Sequence, residues 1–129
     1  MKKLIGLLFL CICLSSQAQN TKVQNVDAAT FKKLIDDNNA ALIDLRTTDE
    51  INSKGKIKGA KQIDYFNKNA ESDIKKLDKN KTYLIYCAGG GRSSECAELM
   101  TKEGFKEIIN LEKGFDDWKR KGFAVVEGK

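Results

Sequence analysis

The chain has 129 residues, room for one domain with a modest core, and its 23 lysines and arginines face 18 acidic residues, a balance too even to imply a nucleic-acid partner. It contains no histidine, which excludes Cys-His and Ser-His-Asp catalysis and removes the commonest nitrogen ligand of zinc. Its cysteines are Cys11, Cys13, Cys87 and Cys96, with no Cys-x-x-Cys pair, so no metal site is expected.

Lys2 and Lys3 precede an apolar run from Leu4 to Leu14, and Ser16-Gln17-Ala18 offers the small residues that signal peptidase needs. Residues 1–18 therefore read as a secretory signal peptide and not as a stable membrane span. The protein is expected to be exported and held in the periplasm, with secretion as the alternative. Leu10 and Ile12 precede the two early cysteines, which disfavours a lipid anchor. Removing the signal leaves 21 basic and 18 acidic residues, a net charge of +3, and only Cys87 and Cys96, too few for a disulfide framework. Residues 19–25 read as a short polar lead-in, and residues 26–129 as a single domain.

The first helix is expected over Val26–Ile35, where Phe31, Leu34 and Ile35 recur at helical spacing and Asp27 suits the N-cap. Ala40–Leu45 is a continuous apolar run, the pattern of a strand buried on both faces. Polar residues then lead through Glu50 and Ile51 to a turn punctuated by Gly55 and Gly59, too short for a Walker loop, and to a second short strand near Lys61–Ile63. Asn69 is expected to cap a helix running through Ile74 and Leu77. The lysines 75, 76, 79 and 81 alternate with Asp73 and Asp78 and read as a solvated surface.

Thr82–Tyr86 is the most hydrophobic strand of the mature chain and is expected at the centre of the sheet. A helix beginning near Ser93 should place Cys96, Ala97, Leu99 and Met100 inward and stop at Gly104, a left-handed C-cap. Ile108–Leu111 forms a further strand, Gly114 starts a turn, and Phe115 and Trp118 anchor a last helix ending near Gly122. The alternation predicts an α/β fold, an open, mainly parallel sheet of about five strands with helices on both faces. Ligands of such sheets bind beyond the carboxyl ends of the strands, where Cys87 falls.

The chemistry concentrates in Cys87-Ala88-Gly89-Gly90-Gly91-Arg92-Ser93. Three glycines clear side chains from around the sulfur and permit positive φ, so that amides can turn inward as an anion-binding nest. The N-terminus of the following helix and the charge of Arg92 add to a setting that favours a thiolate. Cys96 reads as a small buried thiol, with a resolving cysteine for Cys87 as the alternative.

This loop resembles the active-site loop of the rhodanese-like sulfurtransferases, whose pattern is Cys, two variable residues, Gly, a variable residue, Arg, Ser. Four residues separate Cys87 from Arg92, as in the sulfur-transferring members, whereas phosphatase relatives carry one more. The resemblance extends over about residues 26–125. Asp44-Leu45-Arg46 is similar to the family's Asp-Val-Arg, Glu50-Ile51 to its acidic-aromatic pair, and residues 56–60 to its His-Ile-Pro-Gly-Ala turn, with Lys56 and Lys58 in place of His and Pro. Residues 110–114, Trp118 and Gly122 resemble its closing motif, with Lys113 where a glycine is usual.

The resemblance implies that Cys87 is the catalytic nucleophile, that Ala88, Gly89, Gly90, Gly91, Arg92 and Ser93 bind a persulfide, and that no metal or organic cofactor takes part. It implies a small anionic donor such as thiosulfate and a thiol or cyanide acceptor, a thioredoxin-like protein among the candidates. Asp44 and Arg46 are expected as a supporting ion pair or rim contact, and Lys113 as a positive rim residue. The alternatives are a non-catalytic sulfur-carrier, interaction or redox module, and a phosphatase or arsenate reductase of the same fold.

Overall fold

The computed structural model describes residues 20–128, so the expected signal peptide lies outside the described residues. In chain order the elements are β1 (Lys22–Val26), α1 (Ala28–Asp36), β2 (Ala41–Asp44), α2 (Thr48–Lys54), β3 (Lys61–Gln62), α3 (Ala70–Lys75), β4 (Thr82–Tyr86), α4 (Gly91–Lys102), β5 (Glu107–Leu111) and α5 (Gly114–Arg120). The five strands form one sheet in the order β1-β5-β4-β2-β3, and every pairing is parallel. The expected α/β architecture is present, with β4 in the middle.

Strand periodicity explains the layering. Along β4, Leu84 and Tyr86 point to one face while Tyr83 and Ile85, followed by Cys87, point to the other. The Cys87 face packs against Ala70 and Ile74 of α3 and Cys96, Ala97 and Met100 of α4. The opposite face packs against Ala28 and Phe31 of α1 and Phe115 and Trp118 of α5. Covered on both sides, β4 needs apolar residues at consecutive positions, which is why its sequence does not alternate.

Asp27 caps α1 as expected, its carboxylate accepting from the Thr30 N–H at 2.8 Å, and Gly104 follows α4 with a φ of 80°. Other elements differ from expectation. The lead-in contains β1, an edge strand that pairs only with β5; with one neighbour and a mostly exposed surface it has no apolar run to betray it. The polar stretch around Glu50 is α2, stabilised by a capping box between Thr47 and Glu50 and by Ile51, its buried residue. Asn69 occupies the N-cap of α3 but its side chain makes no cap; its N–H instead bonds Asn67 Oδ1 in a local turn. Among the described residues no helix is long and apolar enough to cross a membrane.

Candidate active site

Cys87 follows β4 directly and is 1% exposed. Two backbone amides converge on its sulfur: Gly90 N–H donates at 3.1 Å and Ser93 N–H at 3.4 Å. Ser93 Oγ lies 3.5 Å from Sγ and donates its own proton to the Gly90 carbonyl at 3.2 Å, leaving its lone pairs towards the thiol. Ser94 Oγ donates to the same carbonyl at 2.7 Å. Gly90 is thus fixed from one side by hydroxyls while its N–H faces the sulfur. The helix α4 begins at Gly91, two residues earlier than expected, which puts Arg92 and Ser93 in its first turn and lets their end of the helix face Cys87.

The cradle is shaped by a second loop, the β5–α5 turn. At the start of α5, Phe115 N–H donates to the Cys87 carbonyl at 2.8 Å and Asp116 N–H to the Ala88 carbonyl at 3.0 Å. These bonds draw the carbonyls outward. Gly114, with a φ of 70°, lies so close that a Cβ there would sit 2.3 Å from Ala88 O, and a Cβ on Gly90, φ 105°, would sit 2.2 Å from Glu112 O. The two glycines interlock the loops. Gly89 and Gly91 have ordinary φ and open space where a Cβ would stand, so the conformational need expected of three glycines falls on Gly90 alone.

Arg92 is not a lone charge, because it is paired with a carboxylate. Its Nη1 and Nη2 donate to the two carboxylate oxygens of Glu50, each at 2.8 Å, and its guanidinium lies 4.8 Å over the ring of the exposed Phe66. Glu50 is held in turn by Thr47, whose N–H donates at 2.8 Å and whose Oγ donates at 3.0 Å. The Arg92 bonds, opposed by partial burial and helped by Thr47, hold the Glu50 carboxyl down at about 2. The sequence suggested Glu50 only as a family feature; the Thr47-x-x-Glu50 spacing of a capping box was its visible signal.

Asp44 and Arg46 form a buried ion pair at 2.8 Å, with a second bond from Arg46 Nε to Asp44 Oδ1 at 3.0 Å. Arg46 also donates to the Gly55 carbonyl at 2.8 Å and stacks 3.9 Å from the centre of the Phe115 ring. The hydroxyl of Tyr86 donates to Asp44 Oδ2 at 2.7 Å and accepts from Ile57 N–H at 3.2 Å; burial, then the Asp44 charge, pushes its acidity weaker than usual. This cluster ties β2 and β4 to the turn after α2, and none of its hydrogen bonds reaches Cys87 Sγ. Lys113 is exposed beside Gly114, and Cys96 is a core residue 1% exposed whose thiol burial pushes up to about 12. Among the described residues no group of three or more side chains could hold a metal ion.

A buried cysteine directly after the central strand of a parallel α/β sheet, with two amides of a helix-opening loop directed at its sulfur, defines the class of domain. Within that class the chain belongs to the rhodanese-like domain family, whose model matches residues 27–121. It is 28% identical over 105 residues to a sulfurtransferase of Allochromatium vinosum, covering 81% of this chain and 95% of that one. It is 43% identical over 44 residues to the thiosulfate sulfurtransferase GlpE of Coxiella burnetii, covering 34% and 41% of the two chains. A rhodanese-related protein from Thermoplasma volcanium superposes with a TM-score of 0.69 at 25% identity, covering 80% of this chain and 97% of that one.

Proposed function

We propose that this protein is a sulfurtransferase that carries a sulfane sulfur on Cys87 between a small anionic donor, thiosulfate or a related species, and a thiophilic acceptor. The observation that carries this reading is the convergence of the Gly90 and Ser93 amides on Cys87 Sγ. In the first half-reaction the Cys87 thiolate attacks the outer sulfur of thiosulfate. The donor's S–S bond breaks, its electron pair leaves on sulfite, and Cys87 retains the sulfur as an anionic persulfide. The inward amides and the α4 N-terminus stabilise that charge without reorganisation, as an oxyanion hole does for oxygen.

In the second half-reaction cyanide or an acceptor thiolate attacks the terminal sulfur and Cys87 leaves as the thiolate that began the cycle. A thioredoxin-like protein is a fitting cellular acceptor. Sulfite is a good leaving group, so the first step needs no proton donated to it. In this reading residues 1–18 direct export, which N-terminal sequencing of the protein from a periplasmic fraction checks.

The test is intact mass before and after thiosulfate, together with thiocyanate formation on adding cyanide. The wild type is expected to gain one sulfur atom and turn over, and Cys87→Ser to do neither. Equal sulfur loading of Cys87→Ser would move the chemistry to another side chain, and hydrolysis of an aryl phosphate abolished by the same substitution would favour the phosphatase alternative.

A further inference from the structure

The Cys87 face of the sheet carries Ile43, Tyr83, Ile85 and Ile108, and on the same face of β5, next after Ile108, stands Asn110, 1% exposed. An amide in that layer is costly, the more so because among the described residues its Oδ1 has no hydrogen-bond partner. Its Nδ2 does have partners. It donates to Asn25 Oδ1 on β1 at 3.0 Å and to Ser94 Oγ in the first turn of α4 at 3.5 Å. Ser94 Oγ in turn donates to the Gly90 carbonyl at 2.7 Å, and the N–H of Gly90 donates to Cys87 Sγ at 3.1 Å.

The direction of these bonds decides what the amide does. A hydroxyl has one proton and an amide N–H can only donate, so a donor at Asn110 leaves the Ser94 proton for the Gly90 carbonyl. Gly90 has a φ of 105° and no side chain to hold it, so the bonds at its carbonyl and at its N–H fix its orientation between them. Ser94 is exposed, and without the amide beneath it the hydroxyl is free to turn to water.

We infer that Asn110 is a positioning residue for the candidate site: through Ser94 it aims the Gly90 amide at Cys87 and raises the share of Cys87 present as thiolate. The consequence for sulfur transfer rests on the sulfurtransferase reading, whereas the effect on the thiol does not.

The experiment reads the thiolate by its ultraviolet absorbance, as the difference from Cys87→Ser, at one fixed pH where the wild type is partly ionised. Asn110→Leu keeps the shape and removes the amide. Its ratio of thiolate to thiol should fall about threefold to tenfold, the worth of one hydrogen bond in the chain. Its urea midpoint should stay at or above the wild-type value, because the orphaned acceptor is gone and Asn25 and Ser94 are exposed to water. Arg92, whose charge acts on Cys87, is the same in every variant, so a change reports the amide.

Ser94→Ala should lower the ratio by a similar factor, and adding Asn110→Leu to it should change little more. Ser94→Thr, whose hydroxyl can reach the same i−4 carbonyl, should recover the ratio lost in Ser94→Ala. Asn110→Val, suited to a strand, serves if Asn110→Leu does not fold. An unchanged ratio in the Asn110 variant, or a fall that persists undiminished in the Ser94→Ala background, would overturn the inference. If the wild type takes up no sulfur from thiosulfate while the thiolate still follows Asn110 and Ser94, the sulfurtransferase reading fails and this inference stands.

Discussion

Gly114→Ala tests whether the sulfur cradle is built by two loops or by one. The residue has a φ of 70°, and the new Cβ would lie 2.3 Å from Ala88 O, 2.6 Å from Ala88 C and 2.7 Å from Gly89 N, all backbone atoms with no rotamer to give way. Left-handed strain costs roughly 1–2 kcal/mol. Pushing the loops apart lengthens the Phe115–Cys87 and Asp116–Ala88 bonds, each worth about 1 kcal/mol. The smaller entropy of an alanine chain in the unfolded state returns about 0.5–1 kcal/mol. The net loss is about 2–3 kcal/mol, a fall in Tm of roughly 10–20 °C for a domain of this size.

Urea and thermal unfolding measure that loss, and single-turnover loading from thiosulfate at a temperature where the variant stays folded reports the cradle itself. Loading should slow, because the amides that face Cys87 are displaced with the Ala88 carbonyl. Gly89→Ala is the stability control: its φ is ordinary and its Cβ meets nothing within 4 Å, so its unfolding should stay near the wild type. Matching stabilities for the two variants, or normal loading by Gly114→Ala, would refute the interlocked-loop account.

The buried ion pair should show an asymmetric response. Asp44→Asn leaves the Arg46 guanidinium charged in a side chain 1% exposed and should cost about 3–5 kcal/mol, whereas Tyr86→Phe removes a hydroxyl and strands one amide for about 1–3 kcal/mol. A urea midpoint for Asp44→Asn above that of Tyr86→Phe would contradict this assignment. Acid should expose Glu50: its carboxyl is held at about 2 against an ordinary 4.5, so its contribution is complete above about pH 4.5 and is lost as pH falls towards 2. Because the side chain is 28% exposed, screening reduces that contribution to about 1–2 kcal/mol, and Glu50→Gln should flatten this limb of the stability profile relative to the wild type.

The parallel sheet was legible because burial on both faces leaves a direct mark on composition: Ala41–Asp44 and Thr82–Tyr86 read as strands without reference to anything distant. Lys22–Val26 left no such mark, since an edge strand with one partner and an exposed surface takes its conformation from the β5 backbone and not from its own side chains. The α2 helix was missed for a different reason. Its burial is carried by Ile51 and its stability by a capping box, so the local cap was the signal and the apolar periodicity was absent.

Cys87 and Arg92 were visible as a motif, but their electrostatics were not. Nothing within residues 87–93 states that Arg92 pairs with a carboxylate 42 positions earlier, or that Gly90 and Gly114 are required while Gly89 and Gly91 are spare. Both facts arise where parallel strands deliver their carboxyl ends to one edge of the sheet: β4 brings the cysteine loop, β5 brings the turn that bears on it, and β2 leads into the helix that supplies Glu50. A local motif can therefore single out Cys87, while the charge around its sulfur depends on which neighbouring loops the sheet order places beside it.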